Sequence, residues 1–136
     1  MNIYFSGSIR GGRNHNTWYE YIVLELKKNG NVLTEFVADK NLSSYGTLNL
    51  TDEEIYKRDV DLIKQSDIVI ADVTIPSLGV GYEIAFAESI NKKIYCIYNK
   101  EDDKRISAMI AGCPNFESYP YNSKEELQII INKIFN

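Results

Sequence analysis

The chain has 136 residues, 44% of them hydrophobic and 25% charged, with a formal net charge of -4, enough for one packed core and too short for two ordinary domains. That balance excludes both a disordered chain and a basic field for duplex nucleic acid, although a mononucleotide needs only a few local donors. No apolar run is long enough to cross a bilayer, and Cys96 and Cys113 are too few for a disulfide framework and lack neighbours at metal-ligand spacing.

Strand-length apolar runs alternate with segments of helical period, so a single α/β domain over residues 1–136 is predicted. Residues 2–6 form the first strand, with no charged, apolar and cleavage regions ahead of it, and a cytoplasmic location is expected. Trp18, Tyr19, Ile22, Val23 and Leu26 give a helix over 17–28, stopped by Asn29-Gly30. Val32, Leu33, Phe36 and Val37 suggest a second strand over 31–37, and 38–50, without strong period, reads as a mobile loop over a site.

Thr51-Asp52-Glu53-Glu54 is a capping box opening a helix that runs to about Ser66. Residues 67–73 hold the unbroken apolar run Ile68, Val69, Ile70 and Ala71, as a central parallel strand should. After a turn at 76–79, a helix over 81–91, a strand over 93–98, a polar loop, a short helix over 106–111 and an edge strand over 116–119 follow. Ser123-Lys124-Glu125-Glu126 is a second capping box, and Leu127, Ile130, Ile131 and Ile134 form the stripe of a last helix. This order specifies a flavodoxin-like or Rossmann-like parallel sheet with helices on both faces, whose ligands bind beyond the carboxyl ends of the strands.

Three places there could carry chemistry. Gly7-Ser8-Ile9-Arg10-Gly11-Gly12 joins glycines that allow close backbone approach to a hydroxyl and a guanidinium, which suits a phosphate; a tight turn with a surface arginine is the other reading. In Pro76-Ser77-Leu78-Gly79-Val80-Gly81-Tyr82-Glu83, Glu83 falls in the first turn of the predicted helix. There the dipole would lower its pKa and favour an ionised nucleophile, but a first-turn Glu is also an ordinary stabilising choice. Asp59, inside a helix, is either a salt-bridge partner, as Asp61 could equally be, or the second carboxyl of a glycosidase pair. His15, the one histidine, lies in a polar run without the company of a catalytic triad.

Taken together, Tyr4-Phe5-Ser6-Gly7-Ser8-Ile9-Arg10-Gly11-Gly12, Val32-Leu33-Thr34-Glu35, Arg58-Asp59, Ala71-Asp72-Val73-Thr74, the segment from Pro76 to Glu83, and Ile106-Ser107-Ala108-Met109-Ile110 resemble the 2'-deoxynucleoside 5'-phosphate N-hydrolases of the nucleoside 2-deoxyribosyltransferase superfamily. The resemblance implies that Glu83 attacks the anomeric carbon, that Asp59 helps protonate the departing base and that Tyr4 orients the nucleophile. Water then releases 2-deoxyribose 5-phosphate, and no metal or cofactor is needed. It further implies that Ser8, Arg10, Gly11, Gly12, Ser77, Gly79 and Ser107 hold the 5'-phosphate, with Ser107 reaching across a homodimer, and that Ile9, Glu35, Phe36 and Met109 lie around the base and sugar.

Relatives that exchange bases between unphosphorylated deoxynucleosides carry an acid at the position of Ser77. An acid there would repel a phosphate, whereas a serine hydroxyl donates to it. Base exchange, hydrolysis of a ribonucleotide such as CMP, and a catalytically silent nucleotide-binding module are the alternatives. Phe36 stands where relatives often have His, so base preference does not carry over.

Overall fold

The computed structural model describes residues 1–9, 16–38, 49–100 and 105–136. Within them lie five strands, β1 (Asn2–Ser6), β2 (Asn31–Val32), β3 (Ile68–Asp72), β4 (Lys93–Asn99) and β5 (Glu117–Tyr121). Five helices accompany them, α1 (Asn16–Lys27), α2 (Asp52–Gln65), α3 (Leu78–Ser89), α4 (Ala108–Ala111) and α5 (Lys124–Phe135). The strands pair in the order β2-β1-β3-β4-β5 and every pairing is parallel. The order reverses between β1 and β3, which opens a crevice beyond their carboxyl ends.

The sheet is covered on both faces. Ile3, Phe5, Ile68, Ile70 and Ile97 point to one side, against Tyr19, Ile22, Val23 and Leu26 of α1 and Leu127, Ile130 and Ile131 of α5. Tyr4, Val69, Ala71, Ile94 and Cys96 point to the other, against Ile63 of α2 and Val80, Ile84 and Ala87 of α3. The two-residue alternation of β1 and β3 feeds both layers at once, which is why β3 reads as an unbroken apolar run from Ile68 to Ala71 and is buried at every position.

Helix ends follow local chemistry. Thr51 caps α2 with a complete capping box, the Thr51 hydroxyl accepting the Glu54 N–H while the Glu54 carboxylate accepts the Thr51 N–H; such a cap is worth about 1 kcal/mol. At the other end of α2, Lys92 Nζ donates to the Lys64 and Ser66 carbonyls at 2.8 and 2.7 Å, placing a cation on unpaired carbonyls. Asn91, at φ 61°, closes α3 with the paired bonds Asn91 N–H to Glu88 O and Lys92 N–H to Ala87 O of a Schellman turn. At α5, Ser123 accepts the Glu126 N–H as expected, but the Glu126 carboxylate accepts the N–H of Asn122, so the second capping box closes one residue early.

Several boundaries depart from the sequence reading. The second strand stops at Val32, and residues Glu35–Ala38 form a 3₁₀ turn. Thr34 explains this: its Oγ1 accepts the Phe5 N–H and donates to the Phe5 carbonyl, each at 2.7 Å, so one side chain satisfies β1 where a strand would otherwise pair. The helix expected from 81 begins at Leu78, because Ser77 is its N-cap and its Oγ accepts the Val80 N–H at 3.2 Å. The last strand, expected over 116–119, runs Glu117–Tyr121 and carries Pro120 at the border of the sheet, where a missing N–H is tolerated. Residues 39–48 of the expected loop lie outside the described residues, as do Arg10, Gly11, Gly12 and His15. No helix among the described residues is long and apolar enough to cross a membrane.

Candidate active site

The crevice between β1 and β3 is where the named carboxyls converge. Tyr4, buried in the middle of β1, sends its hydroxyl along the face packed by α3 and donates to Glu83 Oε2. Glu83 sits in the second turn of α3, since that helix starts at Leu78. This corrects the first-turn reading: the helix dipole fades within the first turn, and another force sets the ionisation of this group. Burial of the carboxyl is the largest cause and the nearby Asp59 charge adds to it; the hydrogen bond from Tyr4, the neighbouring Ser6 hydroxyl and the Arg58 charge only partly oppose it, so the Glu83 pKa is pushed up to about 7. The Tyr4 phenol is driven above its usual range by burial first, then by the charges of Glu83 and Asp59.

Glu83 and Asp59 line one cavity of about 280 Å³, together with Tyr56, Val60, Ile63, Gly79 and Tyr82. The two carboxyls, 24 residues apart in sequence, thus meet over one space because α2 and α3 pack side by side on the same face of the sheet. Asp59 is held by Arg58, whose Nε donates to Oδ1 at 2.9 Å, both side chains being about three-quarters buried. The same guanidinium lies 4.1 Å from the Phe36 ring centroid, a cation–π contact joining the 3₁₀ turn to α2. Asp59 is therefore a salt-bridge partner and at the same time lines the cavity of Glu83. Tyr56 and Tyr82, half exposed, close the mouth edge-to-face with their hydroxyls 3.3 Å apart.

On the other side of the α3 N-terminus a wider groove of about 760 Å³ brings together Ser77, Gly81, Arg105, Ser107 and Met109 over an apolar floor that includes Val73 and Phe116. Each serine is a helix cap, Ser77 accepting the Val80 N–H and Ser107 the Met109 N–H at 3.2 Å, so each hydroxyl retains its own proton to donate. A Cβ at Gly79 would meet nothing closer than Ser77 Oγ at 3.8 Å, and one at Gly81 nothing within 4 Å. Packing among the described residues gives no reason for two glycines that weaken a helix by about 1 kcal/mol each.

The other named residues are more scattered. Ser8 is buried and its N–H donates to Tyr19 Oη at 2.9 Å, which anchors the start of the glycine loop. Ile9 is half-buried at the last described position of that loop. Glu35 is exposed and ion-paired with Lys27 at 2.9 Å, and Met109 projects from α4 at 82% exposure, away from the cavity of Glu83. Ser6 escaped the sequence reading, although the strand period that places Tyr4 on the α3 face places Ser6 there too. Among the described residues no cluster of three or more His, Cys, Asp or Glu could hold a metal ion.

A carboxyl fixed by a tyrosine at the switch point of a parallel sheet, with a second carboxyl across the same cavity, defines an α/β protein equipped for nucleophilic or acid–base work on a small ligand. The chain belongs to the nucleoside 2-deoxyribosyltransferase family, whose sequence profile matches residues 3–124. It is 44% identical to the 5-hydroxymethyl-dUMP N-hydrolase of Danio rerio over 138 residues, covering 99% of this chain and 96% of the relative. It is 40% identical to the human 5-hydroxymethyl-dUMP N-hydrolase over 137 residues, covering 98% and 78%. In structure it resembles a Clostridium botulinum CMP N-glycosidase at a TM-score of 0.67, covering 98% and 99% of the two chains at 18% identity, a likeness of fold.

Proposed function

We propose that this chain hydrolyses the N-glycosidic bond of 2'-deoxynucleoside 5'-monophosphates, with a 5-substituted dUMP of the kind named for its relatives as the first substrate to try. The observation that carries the reading is the Glu83 carboxyl, oriented by Tyr4 and sharing a cavity with Asp59. Ionised Glu83 attacks C1', the C1'–N bond breaks with its electron pair leaving on the base, and Asp59 helps deliver the proton the base takes up. Water then attacks C1' of the glycosyl ester, giving 2-deoxyribose 5-phosphate and free Glu83. The deoxy sugar lacks the electron-withdrawing 2'-hydroxyl, which makes the oxocarbenium-like transition state easier to reach.

The 5'-phosphate is assigned to Ser8, Arg10, Gly11, Gly12, Ser77, Gly79 and Ser107. The serine caps support this at Ser77, where a hydroxyl that can still donate its proton sits at the positive end of the α3 dipole. Within one chain Ser107 lines the wide groove while Glu83 lines the smaller cavity, so the reading includes a homodimer in which the partner subunit's Ser107 completes the phosphate site. The exposed Leu78, Tyr82, Tyr56 and Met109 are apolar surface that such a dimer would cover, and the open sides of Gly79 and Gly81 leave room for close approach.

The test is base release from deoxynucleoside monophosphates by wild type and Glu83→Ala. Wild type should release base and 2-deoxyribose 5-phosphate, while Glu83→Ala binds nucleotide but does not turn over; persistent turnover in the variant overturns the reading. Base exchange is the second reading, favoured by the family to which the chain belongs. Adding a free base to an unphosphorylated deoxynucleoside decides it, since transfer there would replace hydrolysis of the monophosphate as the main activity.

A further inference from the structure

β1 alternates its side chains between the two layers of the core, and in register with β3 it brings Tyr4 beside Val69 and Ser6 beside Ala71. Tyr4, Val69 and Ala71 all belong to the layer under α3, the helix that carries Glu83. Tyr4 uses this face to donate to the Glu83 carboxyl. Ser6 follows it by two residues and is 1% exposed.

The Ser6 hydroxyl makes no hydrogen bond of ordinary geometry with the described residues. It lies close enough to Glu83 to oppose, as a donor, the effect of burial on that carboxyl. The two facts describe a hydroxyl beside the carboxyl and not yet aligned with it. A buried hydroxyl without a partner costs about 1–3 kcal/mol, and alanine would fill the same space without that cost. Retaining the hydroxyl at this position therefore makes sense for a group that is engaged when Glu83 is at work.

We propose that Ser6 is a positioning residue for Glu83: its hydroxyl donates to the carboxylate when substrate fixes Glu83 for attack, so that two donors from one strand, Tyr4 and Ser6, hold the nucleophile. The proposal rests on the reading of Glu83 as nucleophile. A donor to a carboxylate favours its ionised form, which is the form that attacks. The other groups that act on this carboxyl are Tyr4 from β1 and Asp59 and Arg58 from α2, and all three are left untouched by a change at Ser6.

The experiment compares wild type, Ser6→Ala and Ser6→Cys for kcat, KM and the pH profile of kcat/KM on a deoxynucleoside monophosphate, with Glu83→Ala alongside. Ser6→Ala should lower kcat by about 10- to 100-fold, the worth of a hydrogen bond to a charged group, with KM within about twofold of wild type. Its acidic limb should move up by about one pH unit. Ser6→Cys, nearly the same shape with a weaker donor, should fall between the two and decides the matter if Ser6→Ala does not fold. A limb that stays in place in the folded variants overturns the role of Ser6. Turnover surviving in Glu83→Ala would instead remove the nucleophile reading itself, so the two failures are distinguishable.

Discussion

The Tyr19 hydroxyl accepts the backbone N–H of Ser8 at 2.9 Å, while its ring lies so close to Gly7 that a Cβ there would meet Tyr19 Cζ at 2.9 Å. One buried side chain of α1 thereby fixes both the height and the direction of the chain as it leaves β1 for the glycine loop. Tyr19→Phe keeps the ring and strands the Ser8 N–H, at a cost of about 1–3 kcal/mol. Urea unfolding should show that loss, and kinetics should show a raised KM for monophosphates with kcat nearly kept. Gly7→Ala should cost a similar amount by crowding the ring, about 1–3 kcal/mol.

Glu83 makes stability depend on pH in a definite direction. Its folded pKa is raised from 4.5 to about 7, so between those values the folded state holds more protons than the unfolded one. The stabilisation from the neutral carboxyl is full below pH 4.5 and is lost as pH rises through about 7, a span on the order of 3 kcal/mol. Glu83→Gln should flatten that part of the profile and leave the protein more stable than wild type at pH 8, measured by urea unfolding at pH 5 and pH 8. Because attack needs the ionised form, the acidic limb of kcat/KM should fall near pH 7.

Tyr4→Phe removes the hydroxyl that donates to Glu83 and retains the buried ring. The expected result is a loss in kcat of about 10- to 100-fold, the worth of a hydrogen bond to a charged group, and an acidic limb moved upward. Steady-state kinetics across pH 5 to 9, a window of about two units on either side of neutrality, would read both effects.

Ser77 separates cap from substrate recognition. Asp is as good an N-cap as Ser, so Ser77→Asp should preserve α3, whereas Ser77→Ala should lose about 1 kcal/mol of stability. Toward a monophosphate the order reverses, because the carboxylate repels the phosphate and Ala merely loses a donor. KM for a deoxynucleoside monophosphate should rise more in Ser77→Asp than in Ser77→Ala, while thermal melting ranks the two variants the other way.

Much of the framework is legible in the sequence because its signals are local. The capping box at Thr51 and the unbroken apolar run of β3 each specify an element without reference to the rest of the chain. Where a side chain takes over a backbone's role, the pattern misleads. Thr34 ends β2 by bonding to Phe5, 29 residues away, and Ser77 starts α3 inside a stretch that reads as a turn. Displacing that start by three residues moved Glu83 out of reach of the dipole, and burial, which no motif encodes, reversed the direction of its pKa. The family resemblance brought Tyr4, Asp59 and Glu83 together by name. That Asp59 and Glu83 share one cavity comes from the packing of α2 beside α3 on β1 and β3.

The sheet has two borders, and each offers little to an incoming strand. At β2 just two residues are in strand form before Thr34 turns the chain away, and at β5 Pro120 has no N–H to present. A strand from another molecule would find no long row of unpaired backbone groups at either border, so edge-to-edge aggregation through sheet extension is disfavoured. The second copy of the proposed homodimer would thereby be directed to helix faces and loops, the surfaces on which Leu78, Tyr82 and Met109 stand exposed.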